Sequence, residues 1–265
     1  IKIKPGQTSG HFTVINKAKG LSNNLIMSLD EDTAGNLIAG ISKGGVNIIS
    51  GHKVVARFNR NNGLASNIVF NTYTDKEGVI WIATKNGLNW LKNGNVHHIK
   101  TNKYILPHTP YDVLEDNDNN LWMPCSKGVM KVSQSKIFAY KNDSVEKIQY
   151  TLYDKHDGMK QSDCTSTAEA LKAKDNSLWF PTIEGVATIK PSKIFENQYR
   201  PPVYIEKLVV DEKTFTKATH QQLKPGPDRI VLHYTALSYY EPSRVLFKYK
   251  LKGYSEKWSK KNRAR

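Results

Sequence analysis

The sequence predicts an all-β fold: a partial β-propeller of four-stranded blades over residues 1–200, then an incomplete immunoglobulin-like β-sandwich over 201–265. Three observations predict it. A block of about 40 residues recurs along the first three quarters of the chain. Each block consists of short apolar runs punctuated by turns rich in Asp, Asn and Gly. The recurrence stops at Tyr199-Arg200-Pro201-Pro202, where two prolines remove ladder donors and stiffen the chain, so the domain boundary is placed there.

The recurring block is specific in its spacing. The first copy opens with Gly20-Leu21-Ser22-Asn23-Asn24, passes through Asp32-Thr33-Ala34-Gly35-Asn36-Leu37-Ile38 and reaches Gly45-Val46-Asn47. The second reads Gly63-Leu64-Ala65-Ser66-Asn67, then Asp75-Lys76-Glu77-Gly78-Val79-Ile80-Trp81, then Gly87-Leu88-Asn89. The third opens on Tyr104 and continues with Asp116-Asn117-Asp118-Asn119-Asn120-Leu121-Trp122 and Gly128-Val129. From Gly20 to Ile38, Gly63 to Trp81 and Tyr104 to Trp122 the separation is always 18 residues. A looser fourth copy opens at Gly158-Met159 and carries Asn176-Ser177-Leu178-Trp179 and Gly185-Val186.

Each element has a local reason. Residues 11–15 fit the outer strand of a preceding blade. Runs such as Ile68–Tyr73 have the composition of an innermost strand, and the Asp-x-x-Gly turn after it lets Asp bond its own backbone while Gly takes positive φ. A strand built on Trp81, a turn at Gly87, a third strand at Leu88–Leu91 and a fourth at Val96–Ile99 complete a blade. Residues 133–147 interrupt the third copy as a short helix or a hairpin before an outer strand at Ile148–Tyr153. Beyond the prolines, Val203–Val210, Arg229–Tyr234 and Leu246–Leu251 are predicted strands of the sandwich. Four blades and a stray strand do not complete a ring, so further repeats and the sandwich's closing strands are expected elsewhere in a longer protein. Trp81, Trp122 and Trp179, with Gly45, Gly87, Gly128 and Gly185, are read as structural: the tryptophans pack between neighbouring blades and the glycines make the turns. The tyrosines Tyr239, Tyr240, Tyr249 and Tyr254 are read as sandwich core or its edge.

Composition removes several classes. No run of about 18 apolar residues exists, and no signal-peptide core opens the chain. The net charge of +15 comes from basic residues scattered singly along strands and turns, which fits a solvated surface and not a nucleic-acid face. Cys125 and Cys164 have no metal-type spacing; they pair or stay as buried thiols. His97 and His98 are neighbours on a strand and point to opposite faces, so they cannot share a metal. The string Glu115-Asp116-Asn117-Asp118 lacks the Gly and distal Glu of a calcium loop. No metal site, no cofactor and no catalytic arrangement is read.

These residues resemble the two-component regulator propeller repeat, whose blade runs Gly-Leu-Ser-x-Asn, Asp-x-x-Gly-x-Leu-Trp-Ile-Gly-Thr and x-x-Gly-Leu. The second copy matches almost position by position; the first has Ile38 in place of Trp, and the fourth has Ala173 in place of the turn Asp. The tail, with Ala236-Leu237-Ser238-Tyr239-Tyr240 and Phe247–Trp258, is similar to the Tyr-Tyr-Tyr domain that follows such propellers. The resemblance implies the periplasmic or extracellular sensor region of a bacterial inner-membrane signalling protein. Its output is a histidine kinase, often a hybrid one, or alternatively a diguanylate cyclase, and it works as a homodimer. No kinase His box or GGDEF string occurs, so the chain is expected to be no enzyme. It is expected to contact neither nucleic acid nor membrane. A propeller enzyme acting on polysaccharide is the competing class, since fold alone does not fix chemistry.

A ligand-binding face follows from blade geometry. The loop before the innermost strand and the turn between the second and third strands emerge on the same side. Asn23, Asn24, Asn67, Lys85, Asn86, His108, Lys127, Asp163 and Glu184 lie there, and the oligosaccharide or other small polar ligand is assigned to them.

Overall fold

The computed structural model describes residues 13–101, 106–141, 148–194, 201–216, 226, 229–238, 245–253 and 255–259. The chain divides into two compact units, residues 1–194 and 195–265.

In the first unit the strands alternate with turns as the repeat requires. The first blade is Ile26–Glu31 (β1), Leu37–Ile41 (β2), Gly45–Ser50 (β3) and Lys53–Phe58 (β4). The second is Val69–Thr74 (β5), Ile80–Thr84 (β6), Gly87–Lys92 (β7) and Asn95–Lys100 (β8). The third is Leu114–Glu115 (β9), Asn120–Cys125 (β10), Gly128–Ser133 (β11) and Thr151–Tyr153 (β12). Each of these is an antiparallel meander in chain order. The insertion in the third blade is a helix, Gln134–Lys141 (α1), and the outer strand begins at Thr151, later than Ile148. The fourth blade has three strands among the described residues: Leu171–Lys172 (β13), Leu178–Thr182 (β14) and Gly185–Ile189 (β15).

The Asp turn is a carboxylate that satisfies its own loop. Asp75 Oδ1 accepts from the Glu77 and Val79 amides, and Oδ2 accepts the indole N–H of Trp81 at 2.9 Å. Asp116 repeats this with the Asp118 and Asn120 amides and Trp122 at 2.8 Å. A buried indole N–H needs such a partner, and a charged acceptor makes the bond strong. The departures from the repeat keep this logic. In the first blade Ile38 has no N–H to donate, and the Asn36 side chain takes its place on Asp32 Oδ2 at 2.9 Å. In the fourth, with Ala173 at the turn, Trp179 donates to Ser177 Oγ at 2.8 Å, and Ser177 in turn donates to Asp175 at 2.6 Å.

The core lies between blades. Ile38 and Val46 pack on Val69, Ile80 and Ile82 of the next sheet. Trp81 and Trp90 pack on Leu121, Met123 and Met130, with Phe138 of α1 stacked 5.7 Å from Trp81. Trp122 and Val129 pack on Cys164, Leu178 and Phe180. Thus the anchor of each sheet fills the face of its successor. Trp81 and Trp122 are fully buried, but Trp179 is 43% exposed. No sheet among the described residues covers the face of Trp179.

Turn glycines take positive φ: Gly45, Gly87, Gly128 and Gly185 at 75°, 132°, 137° and 134°. Two of them also lack room, since a Cβ on Gly45 would fall on the Phe58 carbonyl oxygen and one on Gly128 on that of Tyr153. Cys125 and Cys164 are free thiols. Their side chains join different packing layers, Cys125 the one between the second and third blades and Cys164 the one between the third and fourth. The thiols stay unbonded although the Cys164 N–H donates to the Cys125 carbonyl at 3.2 Å.

Residues 11–15, the expected outer strand of a preceding blade, are only partly described. His11 and Phe12 lie outside the described residues, and residues 13–16 form no strand. Ile15 instead packs beside Leu21 onto Ala39, Ile41 and Ile49 of the first blade.

The second unit holds one antiparallel sheet, Lys213–Phe215 (β17) beside Val203–Val210 (β16) beside Ile230–Ala236 (β18). The β16–β17 hairpin, unforeseen from sequence, turns at Asp211 in the left-handed region. Leu246–Leu251 does not form the predicted strand; Phe247 is buried there with its ring 4.9 Å from Tyr234. Within this stretch Phe247 alone is bridged to another strand segment. Tyr249 is exposed, so it is not core, and Tyr239, Tyr240 and Tyr254 lie outside the described residues.

Candidate functional site

The predicted face is assembled by the backbone. In the second, third and fourth blades the loop leading into the inner strand is bonded to the turn region between strands two and three: Lys85 N–H to Ile68 at 3.1 Å, Tyr111 N–H to Pro124 at 2.9 Å, and Ile183 N–H to Asp163 at 3.0 Å. Neighbouring blades are sewn together on the same side. Gly45 donates to Asn67 O at 3.0 Å, Thr109 Oγ1 to Lys85 O at 3.4 Å, and Cys164 N–H to Cys125 O at 3.2 Å.

The candidate residues fall into two groups. The asparagines are occupied by the loops themselves. Asn24 accepts from the Lys17 amide and Asn67 from the Arg60 amide, both at 2.7 Å, so equivalent positions of two repeats cap the 3-10 turn that precedes each. Asn23 accepts from the Asn24 amide, and Asn86 donates to Ala65 O. The side chains of Lys85, His108, Lys127, Asp163 and Glu184, by contrast, form no hydrogen bond or ion pair among the described residues. Burial and the neighbouring Lys127 ammonium both hold the His108 pKa below its ordinary value. His108 stands on the loop leading into β9 and Lys127 on the turn between β10 and β11.

Three features of this face were not legible in the sequence. A β-bulge falls between Val69 and Asn71, and another between Ile26 and Ser28, turning Phe70 and Met27 out of the ladder. Phe70 then meets Tyr111 of the third blade edge-on, with ring centroids 5.7 Å apart and both rings half-buried. Beside them Asp112 is buried where three blades meet. It accepts from Val113 N–H at 2.6 Å, Ala170 N–H at 2.7 Å and the Asn71 side chain, yet burial outweighs these bonds and pushes its pKa up to about 6. Asp112 is a tie between blades two, three and four, as Ser28 Oγ with Thr72 Oγ1 at 3.0 Å is between one and two. His97 and His98 behave as strand neighbours should: His97 lies against Trp90, and His98 Nδ1 is 2.9 Å from Gly63 O. No cluster of His, Cys, Asp and Glu able to hold a metal occurs among the described residues.

The described sheets form an open run of propeller-like blades with polar loops on one side. Comparison with known proteins narrows the class. Residues 63–86 match the two component regulator propeller family, so the second blade carries that repeat. Comparison with curated proteins gives no match. Among solved structures, the extracellular domain of a B. thetaiotaomicron protein described as a hybrid two component system aligns with 95% of this chain and 35% of its own length, at 21% identity and a TM-score of 0.73. The chain thus spans about a third of that domain and shares its fold. A second B. thetaiotaomicron extracellular domain, described as part of a one component system, aligns over 94% of this chain and 40% of its own at 15% identity and a TM-score of 0.45. Virginiamycin B lyase from Staphylococcus aureus aligns over 63% of this chain and 56% of its own at 14% identity and a TM-score of 0.43. No helix among the described residues is long and apolar enough to cross a membrane.

Proposed function

We propose that this chain is a ligand-receiving module of an extracytoplasmic bacterial sensor. The loop face of the blades takes up an oligosaccharide or other small polar ligand, and the following β unit passes the change to a membrane-anchored output, a histidine kinase or hybrid kinase, within a homodimer. The fragment itself is not catalytic. The observation that carries this reading is the two component regulator propeller repeat at residues 63–86, set in a chain with the fold of a sensor extracellular domain.

The physics limits what such a module must do. A ligand shifts the sensor only through different affinity for its two states; coupling of about 1–3 kcal/mol is typical, and a nearly complete switch takes about 5.5 kcal/mol. The test is a thermal-shift screen of the chain against neutral and acidic oligosaccharides, followed by mass spectrometry of each bound sugar. A ligand that raises the melting temperature and is recovered unaltered supports the receptor. A ligand that is cleaved or rearranged refutes it in favour of an enzyme.

A further inference from the structure

We propose that the loop face between the second and third blades binds the anionic group of an acidic oligosaccharide, held by Lys85, His108 and Lys127 beside the Phe70–Tyr111 ring pair. This rests on the receptor reading above and adds the chemical class of its ligand.

Three basic residues stand on three separate loops of this face. Lys85 stands on the turn between β6 and β7, His108 on the loop leading into β9, and Lys127 on the turn between β10 and β11. The Thr109–Lys85 bond joins the first two loops, and the Tyr111–Pro124 bond joins the second to the strand that leads to Lys127. Both lysines are exposed, and neither has an ion-pair partner among the described residues. The two lysine charges on adjoining loops have no counter-ion among the described residues, and an anion would supply one. Burial, and then the Lys127 ammonium, lower the His108 pKa.

The rings define what carries the anion. Phe70 is turned out of its strand by a bulge, a device that re-aims side chains next to sites. It meets Tyr111 in the same loop system that carries His108, giving an amphipathic wall for the C–H face of a sugar ring. Asp163 bounds the site on the fourth-blade side; it and Lys127 act with opposite sign on the same buried thiol, Cys125. An acceptor there suits sugar hydroxyls and confines the anion to the lysine side.

The experiment is calorimetric titration of the full chain at low ionic strength. The probes are tetragalacturonate for a carboxylate, a chondroitin sulfate tetrasaccharide for a sulfate ester, neutral cellotetraose, and a thymidine decanucleotide. Binding of either acidic sugar is expected, with the stronger of the two naming the anion. Lys85→Ala and Lys127→Ala should each weaken it about tenfold, the loss of one charged hydrogen bond, and Phe70→Ala should weaken it as well. Both lysines being exposed, melting curves of the variants should overlay that of the parent chain. Three results overturn the proposal: no acidic sugar binds, the lysine variants bind as the parent does, or the decanucleotide binds as well as the sugars. Binding of cellotetraose that ignores the lysines also overturns it while leaving the receptor reading intact; only consumption of the sugar would overturn that reading.

Discussion

Replacing Asp112 by Asn should remove a pH dependence of stability that the buried carboxyl builds into the blades. Asp112 is buried, and its pKa is pushed from 3.8 to about 6, chiefly by desolvation, with Glu169 adding to the rise and the bonds from Ala170, Val113 and Asn71 opposing it. Between these two values the folded chain holds a proton that the unfolded chain has released. Its contribution is therefore fully present below the unfolded value and is lost as pH rises through about 6. A shift of this size corresponds to roughly 3 kcal/mol across that window. Glu115, raised by burial, adds slope of the same sign, whereas Asp32 and Asp175, both lowered, add the opposite. The single substitution isolates one group from that background. Urea unfolding of the parent and of Asp112→Asn at intervals from pH 4 to pH 8 provides the assay. The variant should gain on the parent by about 2 kcal/mol between pH 4 and pH 7, whatever its absolute stability. Parallel curves for the two proteins would refute the reasoning, because the carboxyl would then sit in water or already be ionised without penalty.

Other perturbations test the packing and the loop face. Trp122→Ala empties a fully buried slot between blades and should cost about 3–5 kcal/mol, while Trp179→Ala, at a half-covered face, should cost under about 1 kcal/mol; equal losses by urea melts would contradict the order of packing. Gly128→Ala should destabilise more than Gly185→Ala, by about 1 kcal/mol or more, since both have positive φ but only the first meets a carbonyl oxygen; thermal melts of the two variants decide it. Cys125 and Cys164 have pKa values pushed up to about 11 and about 12 by burial, so at pH 8 the folded chain should leave an aromatic disulfide reagent unreacted and the unfolded chain should consume two equivalents. Lys127→Ala should raise the His108 pKa toward but not fully to its ordinary value, because burial persists; an unchanged proton NMR titration would separate the two groups.

The parts that sequence reading recovered are those whose causes are local. An Asp that bonds the amides two and four residues on, a Gly that takes positive φ, and a strand of period two all act within a few residues, so Asp75, Gly87 and the strands around Trp81 could be placed without a partner in view. The same locality explains the errors. Leu246–Leu251 alternates well but is bridged only at Phe247, and Ile15 packs onto the first blade. The asparagines on the loop face were selected for being polar, yet Asn24 and Asn67 spend their side chains on the preceding turn.

By itself the sequence determined the blade: its length, the order of its strands, its turns, and the loops that share one side. Tertiary structure alone decided which faces are covered and which polar groups remain free. Trp81 and Trp179 occupy equivalent places in their repeats, but one is sealed by the next sheet and the other stands 43% exposed. Asp112 and Phe70 carry no motif, yet one is buried among three blades and the other is turned toward Tyr111 by a bulge. Burial and desolvation depend on what the neighbouring blade brings, and that neighbour lies some forty residues away along the chain.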